Sequence, residues 1–133
     1  MKKNQKIEGN STLVLASESS ARQSILTGLK LIFDVIAPDF SETAQPGVPP
    51  AEIALINAEG KAGSVAAKLA DRLDANAIII GSDQVCCTQS GIVLHKPGSA
   101  DRAIDQLTQA SDQWLTFYSS LVLIRNGAVA WSG

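Results

Sequence analysis

The apolar residues of this chain occur in short runs separated by polar turns, and these runs predict strands. The densest run is Ile78 to Ile80, and three β-branched residues in succession are typical of a strand that is buried on both faces. An Asn-Gly pair at 126–127 is a hairpin signal between two further apolar runs. The pattern therefore predicts strands over 12–16, 31–37, 115–124 and 128–131 in addition to the run at 78–80.

Between these runs the apolar spacing changes to that of helices. The longest helix is predicted from Pro50 to about Leu73, because apolar side chains recur there every three or four residues and form one stripe: Leu55, Ala58, Ala62, Val65, Leu69 and Leu73. A short helix is predicted over 21–27 and is stopped by Gly28. Another helix, capped by Ser99 or Asp101, is expected to reach about Ala110 with three residues facing inward: Ala103, Leu107 and Ala110.

The alternation of strands and helices predicts one α/β domain over 12–133, preceded by a flexible polar leader over 1–11. With 133 residues, 45% hydrophobic and 18% charged, the chain is suited to a packed core and not to disorder. Its net charge of −2 argues against broad electrostatic binding to nucleic acid or an anionic membrane. Any recognition of phosphate must therefore depend on a small group of residues and not on the overall charge of the chain.

No secretory signal or membrane-spanning run is evident in the sequence. Cys86 and Cys87 are the only cysteines, and adjacent cysteines rarely form a structural disulfide. Without a second cluster of Cys or His they also make a poor zinc site. Two reduced thiols in a cytoplasmic protein are therefore expected.

The buried strand at 78–80 leads into Gly81, Ser82, Asp83 and Gln84. Ligands of open α/β sheets bind beyond the carboxyl ends of strands, and we expect Asp83 to lie at such an end. A carboxylate there can hold a metal ion or orient water. The alternative is that Asp83 and Gln84 only terminate the strand in a solvated loop.

Other polar residues occupy comparable positions. Ser17, Ser19 and Arg22 lie at the turn between the first strand and the first helix, which suits an anion site, although serines there are also ordinary helix caps. Glu42 lies in a proline-bearing loop and is a candidate cation ligand beside Asp83, or an exposed loop carboxylate. Lys96 is a candidate phosphate contact or a surface charge.

Short motifs follow one another along the chain. Residues 16–22 read ASESSAR after an apolar strand, residues 37–43 include Glu42, and Lys61-Ala62 lies in the long predicted helix. Gly81 to Val85 reads GSDQV, and Lys96-Pro97 and the 111–118 segment follow. In this order, and over residues 12–132, these motifs resemble those of the Maf family of nucleoside triphosphate pyrophosphatases. That family opens with an apolar strand and Ala-Ser-x-Ser-Pro-x-Arg, has an acidic residue in its next motif and a Lys-Ala pair on its long helix, and Gly81 to Val85 resembles its branch that acts on 7-methyl-GTP.

The resemblance implies a layered fold in which helices, one of them long, flank a central mixed twisted sheet. It implies hydrolysis of a nucleoside triphosphate, such as 7-methyl-GTP, to the monophosphate and pyrophosphate with Mg²⁺ or Mn²⁺. Asp83 would be the catalytic base, and it would share the metal with Glu42. The substrate-binding residues would be Ser17, Ser19, Arg22, Lys61 and Lys96, and the specificity residues would be Gln84 and Ala21, the latter at a position that often holds tryptophan in this branch.

Family members continue past the end of this chain, so a C-terminally truncated form is expected. An apolar sheet face and an unpaired edge would then favour a homodimer. The alternative to an active enzyme is a catalytically impaired nucleotide-binding or regulatory protein, or an inactive fragment. The sequence does not distinguish these three possibilities.

Overall fold

Strands and helices alternate along the chain in this computed structural model, which describes residues 6–7, 11–42, 46–70 and 77–133. Seven strands are found in this part of the chain: β1 (Lys6–Ile7), β2 (Ser11–Ala16), β3 (Asp34–Ile36), β4 (Ile78–Thr88), β5 (Val93–Leu94), β6 (Leu115–Arg125) and β7 (Ala128–Ser132). The three helices are α1 (Ser20–Gly28), α2 (Pro50–Lys68) and α3 (Ala100–Ala110). The α/β class predicted from the sequence is therefore confirmed.

The sheet is mixed, and β4 is its central strand. β4 pairs in parallel with β2 over its first three residues and antiparallel with β5 near its end. On the opposite edge it pairs antiparallel with β6 along its whole length. The strands run in the order β1-β2-β4-β6-β7, with β3 parallel to β2 and β5 paired to β4. Among the described residues, parallel pairing is thus confined to β2, β3 and the start of β4.

Helix α2 covers one face of the sheet through its predicted apolar stripe. Ala58, Ala62, Val65 and Leu69 are buried against Val14, Ile79 and Val122 of the strands. Pro50 occupies the first turn, where its missing N–H costs nothing. A Cβ atom at Gly81 would overlap the carbonyl oxygen of Ala58, so only glycine lets β4 approach the helix this closely. The helix ends at Lys68, and Leu73 lies outside the described residues.

The structure corrects the expected end of the central strand. β4 does not end at Asp83 but continues to Thr88, because β6 provides a partner for each of its 11 residues. The strands that do end near Asp83 are β2, at Ala16, and β3, at Ile36. β3 itself is limited to three residues of the predicted 31–37 run.

The helix ends also differ from the prediction in places. Gly28 is the last residue of α1, and the left-handed conformation expected beyond the helix is adopted by Lys30 (φ 59°). Ser99 caps α3 by accepting from the Arg102 N–H at 3.2 Å. No residue of α3 is buried, and Leu107 is 72% exposed, so the inward face predicted for this helix is wrong. The helical period was present, but Ala103 and Ala110 are only half-buried, and the stripe does not join the core.

The C-terminal hairpin agrees with its sequence signal. Asn126 and Gly127 both have positive φ, as a type I′ turn requires, and they connect β6 to β7. At the other end of the chain, most of the predicted leader lies outside the described residues, and Lys6–Ile7 pairs with Ser11 and Thr12. Among the described residues there is no helix whose length and apolar character would suit a membrane crossing.

Candidate functional site

A cleft lies beyond the ends of β2 and β3, between α2 and the continuing part of β4. It consists of two adjoining cavities of about 480 Å³ and about 510 Å³. Both cavities are lined by the same four charged residues: Arg22, Glu42, Lys61 and Lys96. The larger cavity adds the turn from β2 to α1, and the smaller one adds β4, β5 and the first half of α2. The charged residues therefore mark the junction between two compartments.

At this junction the ammonium group of Lys61 lies between two carboxylates. Lys61 Nζ is 3.1 Å from Asp83 Oδ1 and 2.6 Å from Glu42 Oε1. The other oxygen of Asp83 accepts a hydrogen bond from Asn57 Nδ2 at 3.2 Å. Asn57, Lys61 and Asp83 are all buried, whereas the side chain of Glu42 is 54% exposed. The cluster thus has a buried half and a solvent-facing half.

Secondary structure holds the buried half in place. Asn57 and Lys61 are one helical turn apart, so both project from the same face of α2 toward the sheet. Asp83 projects toward α2 because side chains alternate along β4 and Gly81, two residues earlier, contacts the helix. The Ser120 hydroxyl further links the two layers, since it donates to the Ala54 carbonyl at 2.6 Å.

The positive charges around Glu42 keep it ionised. The hydrogen bond from Lys61 lowers the pKa of the Glu42 carboxyl below its ordinary value, and partial burial opposes this shift. The charges of Lys61, Lys96 and Arg22 lower it further. A carboxylate and three cationic side chains therefore share the junction at neutral pH, which favours an anionic ligand with a bound cation.

The turn from β2 to α1 forms one wall of the larger cavity. Ser19 is the N-cap of α1 and accepts from the Arg22 N–H at 3.3 Å, while the buried Ser17 hydroxyl accepts from the Ser19 N–H at 3.0 Å. Both serines therefore perform the structural role that the sequence left open, and both also line the cavity. The N-terminus of α1 opens toward the same space, which suits phosphate oxygens.

Every site residue predicted from the sequence lines one cavity or the other. Ser17, Ser19 and Ala21 line the larger cavity, Asp83 and Gln84 line the smaller one, and the four junction residues line both. The side chain of Gln84 also bonds to the neighbouring strand, because its Nε2 donates a hydrogen bond to Ser119 Oγ of β6 at 3.0 Å.

The sequence analysis missed three features of the site. Asn57 lies four residues before Lys61, and that spacing was the only available signal for it. An apolar platform of Ile53, Val85 and Val93 lines the smaller cavity, and its residues come from three separate elements. His95 lines the same cavity, with its carbonyl accepting from Gln106 Nε2 of α3. These contacts depend on tertiary structure that no local pattern specifies.

Few of the described side chains at the site could bind a metal ion. Among the described residues no group of three or more His, Cys, Asp or Glu side chains converges. Glu42 and Asp83 are the two carboxylates at the junction, and each has one oxygen engaged by Lys61. Two carboxylates suit Mg²⁺ when phosphate groups of a ligand supply further oxygens, so the residues present fit a cation that binds together with a phosphate-bearing ligand.

The fold resembles a solved structure of a HAM1 protein from Coxiella burnetii. The similarity has a TM-score of 0.50 and covers 92% of this chain and 71% of that chain. The sequences are only 19% identical, so this likeness concerns the fold alone. It agrees with the layered architecture expected from the sequence.

Sequence comparison is more specific. The chain is 43% identical over 117 residues to a protein from Vibrio cholerae named 7-methyl-GTP pyrophosphatase, covering 88% of this chain and 57% of that protein. It is 40% identical over 111 residues to a protein of the same name from Bordetella pertussis, covering 84% and 53%. The chain thus spans about half the length of the curated relatives it matches. A family model described as Maf-like protein matches residues 12–132, and the chain belongs to this family.

Proposed function

We propose that the chain carries the active site of a nucleoside triphosphate pyrophosphatase. The observation that carries this proposal is the position of Asp83, Lys61 and Glu42 at the junction of two cavities, with Arg22 and Lys96 beside them. Binding a triphosphate requires several cationic side chains, and hydrolysis requires a carboxylate that can orient and deprotonate water. The names of the relatives from Vibrio cholerae and Bordetella pertussis support the same reaction.

In the proposed reaction a water molecule attacks the α-phosphorus of the nucleotide. Asp83 accepts the water proton, the new bond to oxygen forms, and the bond between the α-phosphorus and the bridging oxygen breaks. Pyrophosphate leaves and the nucleoside monophosphate remains. Arg22, Lys61 and Lys96 stabilise the charge that develops on the phosphate oxygens. The N-terminus of α1, with Ser17 and Ser19 in its turn, binds the phosphate chain.

A divalent cation, Mg²⁺ or Mn²⁺, is part of the proposal. Glu42 and Asp83 would hold it, and when bound it would neutralise phosphate charge. Lys61 stands between these carboxylates and keeps them from repelling each other.

The proposed substrate is a nucleoside triphosphate, modified or not, with 7-methyl-GTP as the first candidate because relatives carry that name. Ala21 and Gln84 are the proposed specificity residues. Ala21 leaves space at the turn that lines the larger cavity, and Gln84 lines the smaller one. We further propose a cytoplasmic enzyme that does not bind nucleic acid, which agrees with the two free cysteines and the net charge of −2.

The same proposal includes a homodimer. Phe117, Leu121 and Trp131 are exposed on β6 and β7, and β7 pairs only with β6 among the described residues. Exposed apolar residues beside a free strand edge favour pairing with another copy. Sedimentation at micromolar concentration should show a dimer that Trp131→Glu converts to monomer. A parent that sediments as a monomer would contradict the homodimer.

A second candidate is a nucleotide-binding protein without turnover, because residues of the motifs depart from the family pattern, as Ala21 does. Pyrophosphate release from a nucleotide panel with Mg²⁺ and Mn²⁺, beside calorimetric binding of the same nucleotides, separates the two. Turnover supports the enzyme, and binding without turnover supports the second candidate.

The test of the mechanism is Asp83→Asn. This variant keeps the size of the side chain and removes the charge, so pyrophosphate release should fall by about three orders of magnitude or more. Asp105→Asn, an exposed carboxylate on α3, is the control and should keep parental activity. Near-parental turnover in Asp83→Asn would overturn the proposed role of Asp83.

A further inference from the structure

The edge of β4 that faces the cleft has a gap in its pairing. β2 pairs with this edge as far as Ile80, and β5 pairs with it from Cys86 onward. The opposite edge is paired to β6 from Ile78 to Thr88 without interruption. Within the described ranges no strand therefore covers 81–85 on the cleft side, and residues 83–86 line the smaller cavity. A short piece of main chain is left facing that cavity.

The pairing pattern shows which main-chain groups face the gap. In a strand, the N–H and C=O of successive residues point to opposite edges. The Thr88 N–H donates to the Ile92 carbonyl on the β5 side at 2.9 Å. Gln84 lies four residues earlier, so its N–H and C=O point to that same side and into the gap.

The hydrogen bonds of β6 show independently that the main chain of Gln84 faces the gap. Leu121 exchanges two hydrogen bonds with Gly133 on its outer side, at 3.0 Å and 2.7 Å. Its neighbour Ser120 must then direct its main chain toward β4, where its partner is Asp83. Asp83 therefore bonds to β6 through its main chain, and Gln84 does not.

On the cleft side the described part of the chain gives the main chain of Gln84 no partner. The residue that would continue the β5 ladder opposite Gln84 is Lys96, and no main-chain hydrogen bond joins the two. The side chain of Gln84 is engaged elsewhere, by Ser119 Oγ. An unpaired donor and acceptor thus stand next to each other at the cavity wall.

The surroundings suit a flat ring. Ile53, Val85 and Val93 form an apolar platform at this cavity, whose volume of about 480 Å³ is in the range of small-ligand sites. Lys61 and Lys96 line the same cavity, so a ring bound here would keep its phosphates near their charges. An apolar platform beside a donor and an acceptor is the chemistry that binds a nucleobase.

We propose that the main chain of Gln84 is the docking edge for the nucleobase. This inference rests on the proposed function and adds the place and manner of base binding. Each of the common bases has a donor next to an acceptor on its pairing edge, so the Gln84 N–H and C=O can bind any of them. The main chain therefore anchors the ring, and discrimination between bases is left to the side chains around it.

The test removes the Gln84 N–H. Gln84→Pro does so without breaking the β6 ladder, because that N–H points away from β6. Gln84→Ala is the matched control, since it loses the same side chain and keeps the N–H. An amide-to-ester replacement at Gln84 removes the donor without adding a ring and covers the case in which the proline variant fails to fold. Thermal melting confirms that each variant is folded.

Binding is measured by calorimetry with the α,β-methylene analogues of GTP and ATP and with inorganic tripolyphosphate, which has no base. We expect Gln84→Pro to bind both analogues about 2- to 10-fold more weakly than Gln84→Ala, the loss of one hydrogen bond. The ester should be weaker than the parent by a similar factor. Tripolyphosphate should bind all variants as it binds the parent.

Equal affinities of the proline and alanine variants, together with an unaffected ester, would overturn the docking edge. A similar loss of affinity for tripolyphosphate would also overturn it, because that ligand has no base. If the variants show this contrast but the parent releases no pyrophosphate from either GTP or 7-methyl-GTP, the proposed reaction is overturned and the docking edge is still supported. A parent that binds neither analogue would overturn both.

Discussion

Replacing Lys61 by methionine tests whether the buried cluster depends on a single ammonium group. Methionine has nearly the same length and no charge, so the variant keeps the packing of α2 against β4. It leaves the carboxylate of Asp83 buried, with the Asn57 amide as the partner that remains from the cluster. Glu42 loses the same ion pair but keeps access to water, because its side chain is 54% exposed.

The expected cost follows from the geometry. Two unit charges 3.1 Å apart attract by roughly 5 kcal/mol at an effective dielectric constant of about 20, before any desolvation is counted. Removing one partner of a buried pair typically costs about 3–5 kcal/mol, because the other charge remains buried. The exposed pair with Glu42 contributes less than about 1 kcal/mol. We therefore expect Lys61→Met to lower the free energy of unfolding by about 3–5 kcal/mol.

Urea unfolding at neutral pH measures this loss. Lys68→Met, an exposed lysine on the same helix, is the control and should change stability by less than about 0.5 kcal/mol. The double variant Lys61→Met/Asp83→Asn should recover most of the loss, because a neutral amide no longer needs the ammonium group. If Lys61→Met were as stable as Lys68→Met, or if Asp83→Asn gave no recovery in the Lys61→Met background, the cluster would not be held as described.

Three further predictions concern charge, packing and burial. Arg22→Ala and Lys96→Ala should each weaken calorimetric binding of tripolyphosphate by about 1–3 kcal/mol, and by less at high salt; unchanged affinity in both would make these residues surface charges. Gly81→Ala should destabilise by about 1–3 kcal/mol because its Cβ meets the main chain of α2, whereas Gly63→Ala, with open space around it, should not destabilise. Burial raises the pKa of Asp34, and no partner for its carboxylate exists within the described residues. The folded chain then holds this proton more tightly than the unfolded chain, so stability falls as pH rises above the ordinary carboxyl range. Asp34→Asn should therefore raise the midpoint of thermal unfolding at neutral pH, and a gain that persisted at pH about 3 would contradict this reasoning.

Local patterns predicted the elements whose cause is local. The apolar stripe of α2 was correct from Leu55 to Leu69, and the Asn126-Gly127 turn was correct because positive φ at both positions follows from the residues themselves. The residues that the motifs nominated for the site all line the cleft, and their roles stay predictions. In these cases the sequence within a few residues determines the outcome.

Where a partner distant in sequence decides the outcome, the prediction was wrong. Asp83 was expected at a strand end, but its strand continues because β6, more than thirty residues later, pairs with it along its full length. The inward face of α3 was predicted from periodicity, which shows that a stripe exists but not that anything covers it. The sequence around Asn57 gave no signal beyond its spacing from Lys61, because Asn57 acts through its hydrogen bond to Asp83 in the sheet.

The position of Asp83 within a paired strand has a consequence for how the site works. Its main chain pairs with β6, and its side chain bonds to the buried side chains of Asn57 and Lys61. Glu42 is different, because it lies in a half-exposed loop that contacts α2 through the ring of Phe40 above Gly60. Adjustment to a ligand should therefore come from the Glu42 side of the cleft. The buried carboxylate of Asp83 and the α2 face that bonds to it form the other side of the cleft.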